Sequence, residues 1–205
     1  MGRVGERKTR SDKKRDIKPT VRIDLKDALY RLSYITYTPV KDVAEKLTVM
    51  VLEDAEVVNH LSQYFKRDLK FNSTLFRGHA ENPHIGHRDE GKTERISTRF
   101  KANKYEAIAI LAYTLDCTPS RTVTVLLEIA VRNIRFVNAY VKTYLGSALT
   151  EKQMLELKNV MKNVNKLNDG HHSWVALLGA IIDEVSAPVT KVKDAVTEFI
   201  RKNQM

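Results

Sequence analysis

In the stretch RISTRF, Arg95, Ser97 and Arg99 alternate with Ile96, Thr98 and Phe100, so an extended backbone would set three hydrogen-bonding side chains on one face. Arginine can donate two parallel hydrogen bonds to O6 and N7 of guanine, and serine is a compact donor and acceptor. A second alternation sets Thr20, Arg22 and Asp24 against Val21, Ile23 and Leu25, and its aspartate could accept from N4 of cytosine. Ser120, Arg121 and Thr122 follow Pro119 at the start of an apolar helical pattern, and Lys41 stands in the same way after Pro39. The exposed N–H groups of a helix amino terminus favour anions such as phosphate.

Other reactive side chains are less organised. His79, His84 and His87 fall within nine residues, yet no cysteine accompanies them and their spacing is not that of a helical ligand pair, so no metal site is expected and the three are read as lining a mobile loop. His171 and His172 beside Trp174 read as a turn packed by the indole. Cys117, the single cysteine, lies at a turn without an identifiable base partner. With no glycine-rich phosphate loop, no Gly-x-Ser-x-Gly elbow and no carboxylate pair at catalytic spacing, no catalytic residue, enzyme activity or cofactor is expected.

The elements that must position these groups follow from periodicity. Residues 1–18 carry eight basic side chains against Glu6, Asp12 and Asp16 and almost nothing apolar, which predicts a disordered basic tail. From Pro19 a half-buried strand is predicted through Leu25, then a helix through Ala28, Leu29, Leu32 and Ile35, a break at Tyr37-Thr38-Pro39, and a helix through Val43, Ala44, Leu47, Met50 and Val51. That unit spans 19–65. A long connection, 66–93, is extended in part near Asp68 to Phe71. The same order returns over 94–133, with helices through Tyr105, Ile108, Leu111, Ala112 and Leu115 and through Val123, Leu126, Leu127, Ala130 and Val131.

The two copies superimpose at a shift of 75 residues in the strand (Leu25 on Phe100) and of 80 at the turn (Pro39 on Pro119), which predicts a longer first helix in the second copy. Residues 134–205 read as a helical region, with capping signals at Thr150 to Gln153 and a narrow apolar stripe of Val189, Val192, Val196 and Phe199. That stripe suits packing within the chain or a role in homo-oligomers, or docking of another protein.

A lone strand leaves its backbone groups unpaired, so each unit needs a partner strand, from its own chain or from a second one. Two such strands side by side form a ribbon of the width of the major groove. At this point RISTRF, with Pro119-Ser120-Arg121 opening the second helix, resembles the ribbon-helix-helix family of DNA-binding proteins, and PTVRIDL resembles a second member. The fold class implied is mainly α, with tandem ribbon-helix-helix (strand-helix-helix) units and a helical C-terminal region. The resemblance implies base contacts by Arg95, Ser97, Arg99, Thr20, Arg22 and Asp24, and phosphate contacts by Ser120, Arg121, Thr122 and Lys41. It also implies a transcriptional repressor or an accessory factor in plasmid or phage DNA processing, and the tandem layout is similar to accessory DNA-binding proteins of conjugative plasmid transfer.

Composition supports a polyanionic partner. The 205 residues hold 35 Lys and Arg against 25 Asp and Glu, a formal +10, with 42% hydrophobic residues, as in a folded protein with a basic surface. No apolar leader and no uncharged apolar run of membrane-spanning length occurs, so the expectation is cytoplasmic, with double-stranded DNA and no membrane as partner. A nonspecific nucleoid-associated or structural protein is the alternative, and a footprint separates the two. For the tail, deletion of residues 2–16 is expected to weaken binding to every duplex, lowering the slope of log affinity against log salt by about 0.9 for each phosphate that the tail neutralises.

Overall fold

The partner strand comes from the other copy in the same chain. In the computed structural model, which describes residues 14–86, 91–151 and 155, β1 (Arg15–Ile17) pairs antiparallel with β6 (Thr98–Phe100), and β2 (Thr20–Arg22) pairs with β5 (Thr93–Arg95). The register runs without a slip from Arg15 opposite Phe100 to Arg22 opposite Thr93, so the four segments form one ribbon. Its ladder is interrupted at Lys18-Pro19 because proline has no N–H to donate, although Ile96 N–H still donates to the Pro19 carbonyl at 3.1 Å.

Each strand feeds two helices. α1 (Ile23–Thr36) and α2 (Val40–Leu52) follow β2; α4 (Ala102–Thr114) and α5 (Pro119–Arg132) follow β6. A residue in the left-handed region follows both first helices, Tyr37 at φ 47° directly after α1 and Asp116 at φ 54° one residue beyond the cap of α4. α2 and α5 pack on each other, and each reaches the strand of the other unit, α5 against β1 and β2 and α2 against β6. The apolar face of the ribbon, Ile17, Val21, Ile96 and Phe100, joins Leu29, Leu47, Ile108 and Leu126 in one core.

Three expectations are corrected. The first strand lies further upstream than 19–25: Ile23 and Leu25 open α1, where Leu25, Leu29 and Leu32 share the buried helical face, and Arg15 to Ile17, assigned to the tail, are ribbon. With the strand moved, no insertion separates the copies. Ile23 and Ala102 open the first helices and Val40 and Pro119 the second, the same offset of 79 residues (102 − 23 and 119 − 40), and α1 with 14 residues is no shorter than α4 with 13. The boundary expected at 134 also cuts the core, because α6 (Ile134–Ala148) buries Phe136, Val137, Tyr140, Val141 and Leu145 against α2 and α5. The stripe from Val189 to Phe199 lies outside the described residues.

The connection is built, not loose. Ahead of residues 66–93, the end of the first unit adds a third helix, α3 (Ala55–Leu61), capped by the Asp54 carboxylate, which accepts from Val57 N–H at 3.1 Å, and a 3-10 turn at Ser62–Tyr64. A hairpin follows, β3 (Leu69–Phe71) paired with β4 (Thr74–Phe76), where part of an extended segment was expected. Lys66 N–H donates to the Thr114 carbonyl at 2.8 Å, and Arg67 stacks over the Tyr113 ring at 4.3 Å, pairing with Asp116 at 2.9 Å, so the connection is fastened to the end of α4. Gly78 passes so close to the Arg67 backbone that a Cβ there would stand 2.3 Å from it. No described helix is long and apolar enough to cross a membrane.

Thr98 falls on the inward face, and the structure accounts for it: fully buried, its hydroxyl donates to the Ile17 carbonyl across the ribbon at 2.9 Å. Thr98→Val keeps the shape and removes that hydrogen bond while the carbonyl stays in the ribbon ladder, for an expected loss of about 0.5–1.5 kcal/mol. Phe100→Ala, which empties a fully buried ring site, should cost about 3–5 kcal/mol. Urea unfolding of both variants checks the order of the two losses, and a neutral Thr98→Val would show that the cross-strand bond does not stabilise the ribbon.

Candidate nucleic-acid interface

Directly opposed residues of an antiparallel pair lie on the same face. The register therefore gives the polar face of the ribbon as four rungs: Asp16 with Arg99, Lys18 with Ser97, Thr20 with Arg95, and Arg22 with Thr93. Lys18, Arg95, Ser97 and Arg99 are exposed, Thr20 and Arg22 half-buried. Four cations stand on this face against one carboxylate. Arg99 Nε donates to Asp16 at 2.7 Å across the strands, while Arg95 faces a hydroxyl and has no ion-pair partner among the described residues.

Of the expected base-reading residues, Arg95, Ser97, Arg99, Thr20 and Arg22 are brought onto this one face. Asp24 is not. It sits in the first turn of α1, where its carboxylate accepts from Arg22 Nε at 3.0 Å. Asp16 and Lys18, which composition assigns to the tail, take places on the ribbon. Ile17, Pro19 and Val21, all buried, carry the alternation that could have found them.

The amino terminus of α5 is tied to the ribbon from beneath. Ser120 Oγ donates to the Lys18 carbonyl at 2.9 Å and Thr124 Oγ1 to the Thr20 carbonyl at 3.0 Å, which places the first turn of α5 beside the central rungs. The Thr118 hydroxyl caps the helix by accepting from Arg121 N–H at 3.2 Å. The Arg121 guanidinium reaches the Gly86 carbonyl at 2.7 Å and stays partly exposed. Thr122 differs from expectation: it is fully buried, its hydroxyl bonds back to the Thr118 carbonyl at 3.2 Å, and its side chain has no access to a phosphate. Lys41 is exposed in the first turn of α2, at the position that the 79-residue offset equates with Ser120 (120 − 41).

Cys117 is half-buried, with Sγ 3.2 Å from the Thr122 hydroxyl, and burial pushes its thiol above the ordinary range, away from the thiolate a nucleophile needs. Among the described residues no three His, Cys, Asp or Glu side chains gather as a metal site. His79 and His84 are exposed, and His87 lies outside the described residues. In comparisons with known proteins, the chain matches no family model, no curated protein and no solved structure.

The hydrogen bond from Arg22 holds the Asp24 carboxyl below its ordinary value of 3.8. A carboxyl whose folded value is depressed contributes stability above its unfolded value, and that contribution is lost as pH falls through the folded one. The Asp24 carboxyl, followed by NMR, should therefore titrate with a midpoint below 3.8, and Arg22→Ala should raise that midpoint, the backbone N–H groups of Asp24 and Leu25 still holding it down. An unchanged midpoint in Arg22→Ala would show that the guanidinium does not bear on this carboxylate.

Proposed function

We propose that the chain is a sequence-specific double-stranded DNA-binding protein of the ribbon-helix-helix kind, which lays its two-stranded ribbon into the major groove. It would act by occupying its site, as a transcriptional repressor or as an accessory factor in plasmid or phage DNA processing. The observation that carries this reading is the exposed polar face, in which two strands of one chain align Arg95, Ser97 and Arg99 with Asp16, Lys18 and Thr20 over a buried apolar face.

Strands about 4.8 Å apart, with side chains standing off one face, match a groove about 12 Å wide. Guanidinium groups suit guanine edges, and the hydroxyls suit any base. The first turns of α5 and α2 supply positive charge from Arg121 and Lys41, and the N–H groups of Ser120 and Lys41, to flanking phosphates, which fix the register without reading sequence. Residues 2–13 retain Arg3, Arg7, Lys8, Arg10 and Lys13 for further phosphate contacts, so the deletion that tests the tail should stop at Lys13, before the ribbon begins.

Arg95→Ala and Arg99→Ala are each expected to cost about 1–3 kcal/mol on the site protected in a footprint of the DNA flanking the protein's own gene, with little change on random duplex. Equal losses on both duplexes would reject base reading by these arginines. A uniform coating of the DNA without a protected site would favour a nonspecific architectural protein.

A further inference from the structure

Resting on that reading, we infer that one chain by itself recognises a DNA element without dyad symmetry, oriented by the chemical difference between its two strands. The 79-residue offset that relates the helices equates Lys18 with Ser97 (97 − 18), and these two residues also face each other across the ribbon. The local twofold axis therefore passes through this rung. It equates Asp16 with Arg95 and Thr20 with Arg99. In a ribbon assembled from two identical chains, equated positions carry identical side chains, and the element read is a palindrome. Here each equated pair differs: carboxylate against guanidinium, ammonium against hydroxyl, hydroxyl against guanidinium.

The asymmetry has a direction. Of the three arginines on this face, Arg22 ends the first strand and is paired with Asp24, while Arg95 and Arg99 stand on the second strand, four positions apart, which at about 3.4 Å per residue is roughly 14 Å, or about four base-pair steps along the duplex. The first strand offers Asp16, Lys18 and Thr20 to the other side of the groove. The Asp16 and Arg99 rung sharpens this. A guanine offers O6 and N7 to the guanidinium while its cytosine offers the N4 donor to the carboxylate, so the rung suits a G·C pair in one orientation and meets the reversed pair with like groups opposed. The 2.7 Å contact between the two side chains restrains Arg99 before DNA arrives; Arg95, opposite Thr20, carries no such restraint among the described residues.

Selection of duplexes from a random library by the full chain tests this. The expected result is a non-palindromic element whose guanine positions relax, by tenfold or more in relative affinity, in Arg95→Ala and Arg99→Ala. An enriched palindrome would overturn the inference and leave base reading standing, whereas no enrichment over random duplex would overturn both. A triple variant, D16R/K18S/T20R, gives the first strand the outward set of the second. With its fold checked by circular dichroism, it should select a palindrome. If the folded variant keeps the original element, the asymmetry does not arise in the ribbon. The selection with the unmodified chain decides the inference even where the triple variant does not fold.

Discussion

An extended segment that turns Ile17 and Val21 inward and Lys18 and Thr20 outward cannot persist with its backbone donors and acceptors unpaired, and residues 93–100 of the same chain supply the matching edge. Antiparallel pairing makes the chain leave the ribbon at opposite ends, at Ile23 and at Ala102, so the two helical pairs must cross beneath it. α2 and α5 then meet at the centre, and α6 closes the remaining side with Tyr140, whose hydroxyl lies 3.2 Å from that of the buried Thr36. The outward face is what remains once the central inward positions, Ile17, Pro19, Val21, Ile96, Thr98 and Phe100, have been spent on this core.

Joining the strands requires closing a long loop, whose entropic cost rises only slowly with length. The chain restrains that loop further by giving it structure of its own. α3 is linked to α6 through Arg135, which pairs with Asp54 at 3.0 Å and Glu56 at 3.1 Å, and the hairpin segment is anchored at the end of α4 through Lys66 and Arg67. Lys26 pairs with Glu94 across the end of the ribbon, so the returning strand also meets the first helix. These exposed pairs are individually weak. Their value is in fixing where the loop leaves and returns, which keeps the register from slipping.

The second helices and α4 were legible because their apolar positions recur at helical spacing between strong stops, Pro39 and Pro119 on one side and Asp116 on the other. The second strand was legible too, with Ile96, Thr98 and Phe100 placed inward as the alternation required. The first strand was displaced because Val21, Ile23 and Leu25 satisfy a two-residue period while Leu25, Leu29 and Leu32 satisfy a helical one, and only the tertiary partner decides between them. Asp16 and Lys18 were hidden by composition: in a run of charge, the apolar signal is reduced to Ile17, Pro19 and Val21. α3 is too short, with Val57, Val58 and Leu61 as its buried set, to stand out beside an irregular connection. Arg95, Ser97 and Arg99 needed no long-range information to be grouped; the cross-strand partners that complete the face depend on a register no single segment records.

Because both strands belong to one polypeptide, closing the ribbon is a first-order event. A ribbon built from two chains falls apart on dilution, and at low abundance its amount grows with the square of the protein concentration. Here the second strand is present at the effective concentration set by its own tether, independent of how much protein surrounds it. Each chain synthesised yields one complete ribbon, so the number of such surfaces rises linearly with expression, from the first molecule made.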